Sequence, residues 1–281
     1  MNKYQEIVDK MLWSYSRLAA YDHCKYEFYL NYIVANDDVY LPEGNYFAEV
    51  GSYVHKILEM IFNGELALED ASSYYVEHFD ENVFYKTRKS IMYKTFETCA
   101  DYFASIDFSW LGGYDILGVE KKINFNISGH PFIGFIDLLL RDKNDGKIVI
   151  LDNKSSEYPF RKDGKIKVKL QDTFDKYKKQ MYLYAYAVNQ EYGEFPKTLM
   201  WNHFKDGGRI ADIPVSKEEL ENVVFWAAGL IEKIKNDETY LSIIDESSET
   251  SQLKKEYWYC NNLCNFRSSC EYNSAIDWSN L

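Results

Sequence analysis

A chain of 281 residues, 46% of them hydrophobic and 17% aromatic, can bury a sizeable core and permits one large domain or two small ones. Its formal net charge of −12, taken alone, argues against a nucleic-acid binder, because phosphate contacts need Lys and Arg. MNKYQEIVDKMLW at the N-terminus has no apolar run of signal-peptide type and no stretch is long enough to span a bilayer. The expectation is a soluble, cytoplasmic protein, a compartment where clustered cysteines are more often metal ligands than disulfides.

Ser14 or Ser16 can cap a first helix through RLAAYDHCKYEFYLNYI, where Leu18, Tyr21, Phe28, Tyr29 and Tyr32 recur at helical spacing. A loop with Pro42 and Gly44 follows. AEVGSYVHKILEMIFNG reads as a second helix ended by Gly64, and two more helical segments are expected over 68–106. The pattern then turns to β: DILGVEKKINFNISG, HPFIGFIDLLLRD and GKIVILDNKS are rich in Ile, Val and Phe, with DKNDGK as a hairpin turn between the last two. A basic segment over 161–180 carries eight basic residues against three acidic ones. A helix, TFDKYKKQMYLYAYAVNQEYG, comes next, and TLMWNHF and RIADIPV form strands around Gly207 and Gly208. Ser216 followed by Glu219 is a capping-box pattern that opens a helix over SKEELENVVFWAAGLIEKIKND. The fold class is therefore α/β or α+β, with a central mixed sheet flanked by helices. No Pro/Gly-rich linker marks a boundary in the chain. It is expected to form one domain with a helical part (1–110), a core sheet and helix (111–215), and a C-terminal helix with a cysteine tail (216–281).

Two carboxylates stand at the ends of adjacent strands, Asp137 in GFID and Asp152 in VILDNKS. A carboxylate beside buried apolar runs is costly unless a cation compensates it, and oxygen ligands suit Mg²⁺. Residues two apart on a strand share a face, so Lys154 stands beside Asp152, where it can orient or help deprotonate a water and neutralise phosphate charge. An ordinary strand-end ion pair is the competing reading of a bare D-x-K. The tail YWYCNNLCNFRSSCEY places Cys260, Cys264 and Cys270 close together; the other two cysteines of the chain are Cys24 and Cys99, the latter inside a helix where a small core residue is expected.

Together these stretches resemble the PD-(D/E)XK nuclease superfamily, in particular its RecB-like branch, with a restriction-endonuclease-like core. GFID with VILDNKS resembles its G-h-h-D and h-h-D-x-K core, and Gln180 to Tyr184 its Q-x-x-x-Y helix. EVGSYVHKILE resembles its G-x-x-x-H helix, placing Gly51 and a metal-binding His55. The opening WSYSRLAAYDHC resembles the family's first helix with its cysteine. The sequence departs from the usual pattern at Lys25, where proline often stands, and at Asn153, usually aromatic. The resemblance implies a metal-dependent deoxyribonuclease, an exonuclease on DNA ends or single-stranded DNA. Mg²⁺ or Mn²⁺ would be held by His55, Asp137 and Asp152, with Asp137, Asp152, Lys154, Gln180 and Tyr184 serving catalysis. Iron–sulfur members, such as AddB-type nuclease domains and CRISPR-associated exonucleases, imply a [4Fe–4S] cluster on Cys24, Cys260, Cys264 and Cys270. Four thiolates also make a zinc site, and spacing alone favours neither metal. Recombination, repair and CRISPR adaptation are the implied settings, in a phage or a cell, with a helicase or other recombination protein as partner.

The basic segment borders this proposed site, so Lys162, Lys165, Lys167, Lys169, Lys178 and Lys179 are expected to meet the DNA backbone, with Tyr158 and Phe160 stacking on unpaired bases. A solvated loop is the alternative. Glu120 is a further acidic candidate, for which a surface strand carboxylate is the simpler reading. Two other functions compete: a catalytically silent DNA-binding or assembly subunit that retains the fold, and, from the acidic charge alone, a DNA mimic. The intact Asp137, Asp152 and Lys154 favour the enzyme.

Overall fold

The computed structural model describes residues 4–34 and 42–280. Part of the loop expected after the first helix, 35–41, lies outside them. Four helical elements lead: α1 (Gln5–Asp9), α2 (Tyr15–His23), α3 (Lys25–Phe28) with a π-helical turn over Tyr29–Ile33, and α4 (Tyr46–Phe62). Ser14 caps α2 by accepting from the Arg17 amide. The single helix expected from Ser14 to Ile33 is in fact broken at Cys24, whose backbone is extended, with φ −143° and ψ 111°. Helical periodicity continues across the break, so the apolar pattern cannot reveal it. Between 68 and 106 there are more, shorter pieces than expected: α5 (Ala71–Glu77) and α6 (Phe79–Asn82) precede α7 (Lys89–Ser105).

The sheet contains β1 (Tyr114–Ile127), β2 (His130–Asp142), β3 (Ile148–Lys154), β4 (Thr198–His203) and β5 (Arg209–Pro214), in that spatial order. It is mixed: β3 and β4 are parallel and the other neighbours antiparallel. A parallel pair needs a long crossover, supplied by α8 (Gln171–Tyr192), which Gly193 ends in the left-handed conformation at φ +73°. Then come α9 (Lys217–Asn236), capped by Ser216 on the Glu219 amide, α10 (Thr250–Trp258), a π-helical turn over Tyr259–Leu263, and α11 (Glu271–Ala275).

Strand β3 reads as an unbroken apolar run because both of its faces are covered. On one side Ile148 and Ile150 pack with Trp201, Met181, Leu183 and Ile231 from β4, α8 and α9. On the other, Val149 and Leu151 join Leu138, Leu140 and Phe62. Phe62 continues into the helical core of α4, α5 and α7, where Val54, Tyr75 and Phe103 are buried with Cys99. The apolar run of β3 ends at Asp152, a charged group that is itself buried. Among the described residues, no helix is long and apolar enough to cross a membrane.

Candidate active site

The register places the acidic groups in one row. Leu138 pairs with Leu151, so Asp137 and Asp152 face each other one step beyond. Val119 pairs with Leu138 and Lys121 with Ile136, so Glu120 lies opposite Asp137. Glu120 has a positive φ of 44°, uncommon for a residue with a side chain, at the point where its carboxylate approaches the site.

Helix α4 brings His55 against this row. His55 Nε2 lies 3.1 Å from the Asn153 carbonyl oxygen, which can only accept, so Nε2 carries the proton. In the neutral ring the Nδ1 lone pair then points at Asp137 Oδ2, 3.4 Å away, and Glu120 Oε1, 4.0 Å away. Three would-be ligand atoms converge here, an arrangement that suits a cation. His55, Glu120 and Asp137 are the described residues whose ligand atoms lie within 4.8 Å of one another as a set of three or more; Asp152 is outside that set. One imidazole and hard carboxylate oxygens fit Mg²⁺ or Mn²⁺.

Asp152 is held by Lys154 Nζ at 2.6 Å. Lys154 also donates to Gln180 Oε1 at 2.9 Å, Gln180 Nε2 donates to the Tyr184 hydroxyl at 3.0 Å, and the ammonium stands 4.8 Å from the Tyr177 ring centre. Thus α8 reaches the site through Lys154: Gln180 and Tyr184 fix the lysine's position. Tyr184 gets close because β2 has Gly134 beneath it; a Cβ there would lie 2.6 Å from the Tyr184 ring. The glycine of GFID is thereby explained by close approach. Asn153, the departure from the usual aromatic, has its own partners. Its amide and side chain donate to Asp137 Oδ2 at 2.7 and 3.1 Å, and its side-chain oxygen accepts from Asn202, which also donates to the Tyr102 hydroxyl.

Burial pushes the Asp152 carboxyl up to about 6, against the pull of Lys154 and with Asp137 adding to the rise. Burial also raises Asp137 and Glu120, with His55 opposing in both cases. Burial acts to lower Lys154, but Asp152 and Asp137 outweigh it and the ammonium is held more firmly. Gly51 has open space where a Cβ would sit and lines a groove with Ser52, His55, Glu59 and Glu120 that opens the site to solvent.

The basic segment is nearby but largely self-neutralised. Lys169 and Lys167 meet Glu157 at 2.7 and 3.8 Å, Lys178 meets Asp175 at 3.0 Å, and Lys179 meets Asp22 at 3.3 Å. Lys162 and Lys165 are exposed. Phe160 packs edge-on against Phe174, and Arg209 covers Tyr158 at 3.7 Å, so both rings already have protein partners.

Separately from this site, Cys24, Cys260, Cys264 and Cys270 line one cavity with Glu27, Tyr259 and Phe266. All are free thiols, and Cys99 is apart in the helical core. The break between α2 and α3 turns Cys24 to this cavity, and Lys25, at the second departure, pairs with Asp237 at 2.8 Å. The Phe266 amide donates to Cys264 Sγ and the Asn273 amide to Cys270 Sγ. Hydrogen bonds from Tyr259 to Glu27 and from Tyr26 to Glu271 join the same segments. Burial raises the Cys260 thiol to about 12, and raises Cys264 and Cys270 as well.

Residues 12–271 match the PD-(D/E)XK nuclease superfamily. The chain belongs to that superfamily. The crystal structure of a "putative exonuclease" from Eubacterium rectale is similar with a TM-score of 0.51 and 19% identity, over 84% of this chain and 85% of that one. The structure of SSO0001 aligns with a TM-score of 0.30 and 16% identity, over 81% and 86% of the two chains. No curated protein matches the chain. The fold of this nuclease superfamily accounts for the mixed five-stranded sheet flanked by helices. Glu120 is the site residue that sequence reasoning undervalued. Its only local signal is its place opposite Asp137 in a β-hairpin, and that requires the register.

Proposed function

We propose that this protein is a metal-dependent deoxyribonuclease of the RecB-like branch, an exonuclease acting on DNA ends or single strands, with its three parts working as one nuclease domain. The observation that carries the reading is the convergence of His55, Glu120 and Asp137 beside a lysine paired to Asp152. His55, Asp137 and Asp152 would hold Mg²⁺ or Mn²⁺, and Glu120 completes the acidic row. The cation, when bound, supplies Lewis-acid stabilisation of phosphate charge and a more acidic water. Asn153 orients Asp137 through two hydrogen bonds, and His55 through its carbonyl. Lys154, positioned by Gln180 and Tyr184, neutralises charge building on the phosphate and orients the attacking water.

Cys24, Cys260, Cys264 and Cys270 are assigned a [4Fe–4S] cluster. Four sulfur donors on one cavity and amide donors to two of the sulfurs support this, because thiols raised by burial become thiolates only beside a cationic group. The expected product of anaerobic purification is brown protein with iron and sulfide; stoichiometric zinc without sulfide overturns the iron assignment. The nuclease reading is tested by incubating end-labelled single- and double-stranded DNA with Mn²⁺ and with chelator. Mn²⁺-dependent shortening from the ends is expected, and no cleavage of either substrate favours the silent DNA-binding subunit.

A further inference from the structure

We propose that a single-stranded stretch of the substrate reaches the active site along a track made by Trp258, Phe47 and Lys205. The proposal rests on the nuclease reading and adds the route and strandedness of the substrate.

Lys205 sits in the short turn Phe204–Asp206 that follows β4, on the sheet end that carries Lys154. It is half-buried, and among the described residues no carboxylate pairs with it. Lys154, Lys178, Lys179 and Lys197, exposed to similar or lesser degree, each have one. The neighbour that Lys205 does have is the Phe47 ring, 5.7 Å from its ammonium. A partly buried cation over an aromatic face still lacks an anion.

The surroundings define the anion's chemistry. Phe47 stands 6.3 Å from the Trp258 ring, which is 42% exposed. In the other direction the neighbouring Phe204 ring is 6.3 Å from His55, edge to face. Trp258, Phe47 and Lys205 therefore form one connected line, and Phe204, fully buried in the same turn, backs the metal-binding histidine. From Phe47 to His55 along α4 the rise is about 12 Å. Aromatic faces alternating with a free cation suit unpaired nucleotides, whose bases stack and whose phosphates meet the charge. A duplex keeps its base faces covered and offers nothing to Phe47 or Trp258. If these rings only sealed the helical core, Lys205 would have no reason to lack a counter-ion. Trp258 precedes Cys260 by two residues, so the segment that carries the cysteines also positions the outer end of the track.

The test is fluorescence anisotropy of the full chain with labelled oligothymidylate in chelator, comparing a dinucleotide with a long single strand. The wild type is expected to bind the long strand much more tightly. Phe47→Leu and Lys205→Gln should each weaken long-strand binding about tenfold. Lys205→Gln should also reduce the slope of log affinity against log salt by about 0.7, with Lys205→Arg restoring it. Phe225→Ser, at an exposed site on α9, sets the baseline for unrelated surface changes. Folding is checked by circular dichroism, and Lys205→Gln changes charge with little change in packing. If folded Phe47→Leu and Lys205→Gln keep wild-type affinity and slope while the wild type binds and cleaves DNA, the track is wrong and the nuclease reading stands. If the wild type neither binds nor cleaves either length, the nuclease reading fails and the track with it.

Discussion

The sheet-end site gathers would-be ligand atoms within 4.8 Å of one another, whereas the cysteine cavity only lines its sulfurs around one space, and the two follow opposite electrostatic plans. At the sheet end the charges come with partners: Lys154 beside Asp152, Asn153 on Asp137, and His55 anchored to a backbone carbonyl. Asp152 and Lys154 stand on a strand buried on both faces and His55 on a packed helix, so this geometry is set by the fold itself. The cysteine cavity draws from distant parts of the chain and is lined by thiols and a buried carboxylate, Glu27. Arg267, also lining it, is committed to Glu43 at 3.0 Å. There the proposed cluster would supply the positive charge. On the proposed assignments, the sheet-end site brings its ligand atoms together without a metal, whereas the cysteine segments depend on one for their charge balance.

The largest effect should therefore come from the cysteines. Replacing Cys24, Cys260, Cys264 or Cys270 by Ser should lose the cluster, expose the tail to limited proteolysis and lower the melting temperature by at least about 10 °C, given the stability that metal ligation contributes. Cys99→Ser should retain the iron. Equal melting of all five variants would erase the contrast between the sites.

Next come the site residues, where activity should fall and the fold should not. Folded Asp152→Ala and Lys154→Ala should each slow cleavage by about 10³-fold or more, and the double variant hardly further, because groups acting as a unit are not additive. His55→Ala should cost about ten- to a hundredfold, with partial recovery in Mn²⁺. Single-turnover rates on labelled DNA decide this.

A pH series sharpens the same contrast. A carboxyl raised to about 6 stabilises the metal-free fold below its unfolded value of 3.8, and that contribution is lost as pH rises through about 6. Divalent cations bind the ionised form, so the gain in melting temperature from Mg²⁺ should grow between about pH 5 and 8. A gain independent of pH would separate Asp152 from the metal.

Smaller still is Gly134→Ala. The new methyl must displace the Tyr184 ring, at about 1–3 kcal/mol, and loosen Lys154 through Gln180. Thermal melting with parallel cleavage rates would show both losses. The smallest effect belongs to the basic segment. Since Lys167 and Lys169 already pair with Glu157, changing Lys165, Lys167 and Lys169 together to Gln should lower the salt slope by only about one contact's worth, about 0.7. An unchanged slope would make that segment a solvated loop.

Much of this was legible in the sequence for definite reasons. The strands around Asp137 and Asp152 announce themselves as apolar runs, and a two-residue spacing places Lys154 on the Asp152 face whatever the surrounding fold. Ser216 and Gly64 mark helix ends by local chemistry. The break at Cys24 was hidden because Tyr21 and Phe28 keep helical spacing across it. Glu120 was hidden because its approach to His55 depends on pairing between β1 and β2 and on a positive φ, neither written in its neighbours. The ion pairs that neutralise the basic segment involve Glu157 and Asp22, and the latter is distant in sequence. Charge counting along a window misses such partners.

The account's central claim, that the lysine and carboxylates at the sheet end cut DNA, is tested most directly by one time course. End-labelled single-stranded DNA is incubated with wild-type protein and with folded Lys154→Ala at saturating Mn²⁺, with Mn²⁺ binding measured on the same samples. The account predicts degradation by the wild type and a rate at least about 10³-fold lower for the variant, with Mn²⁺ binding largely retained. Equal rates for the two proteins would contradict it.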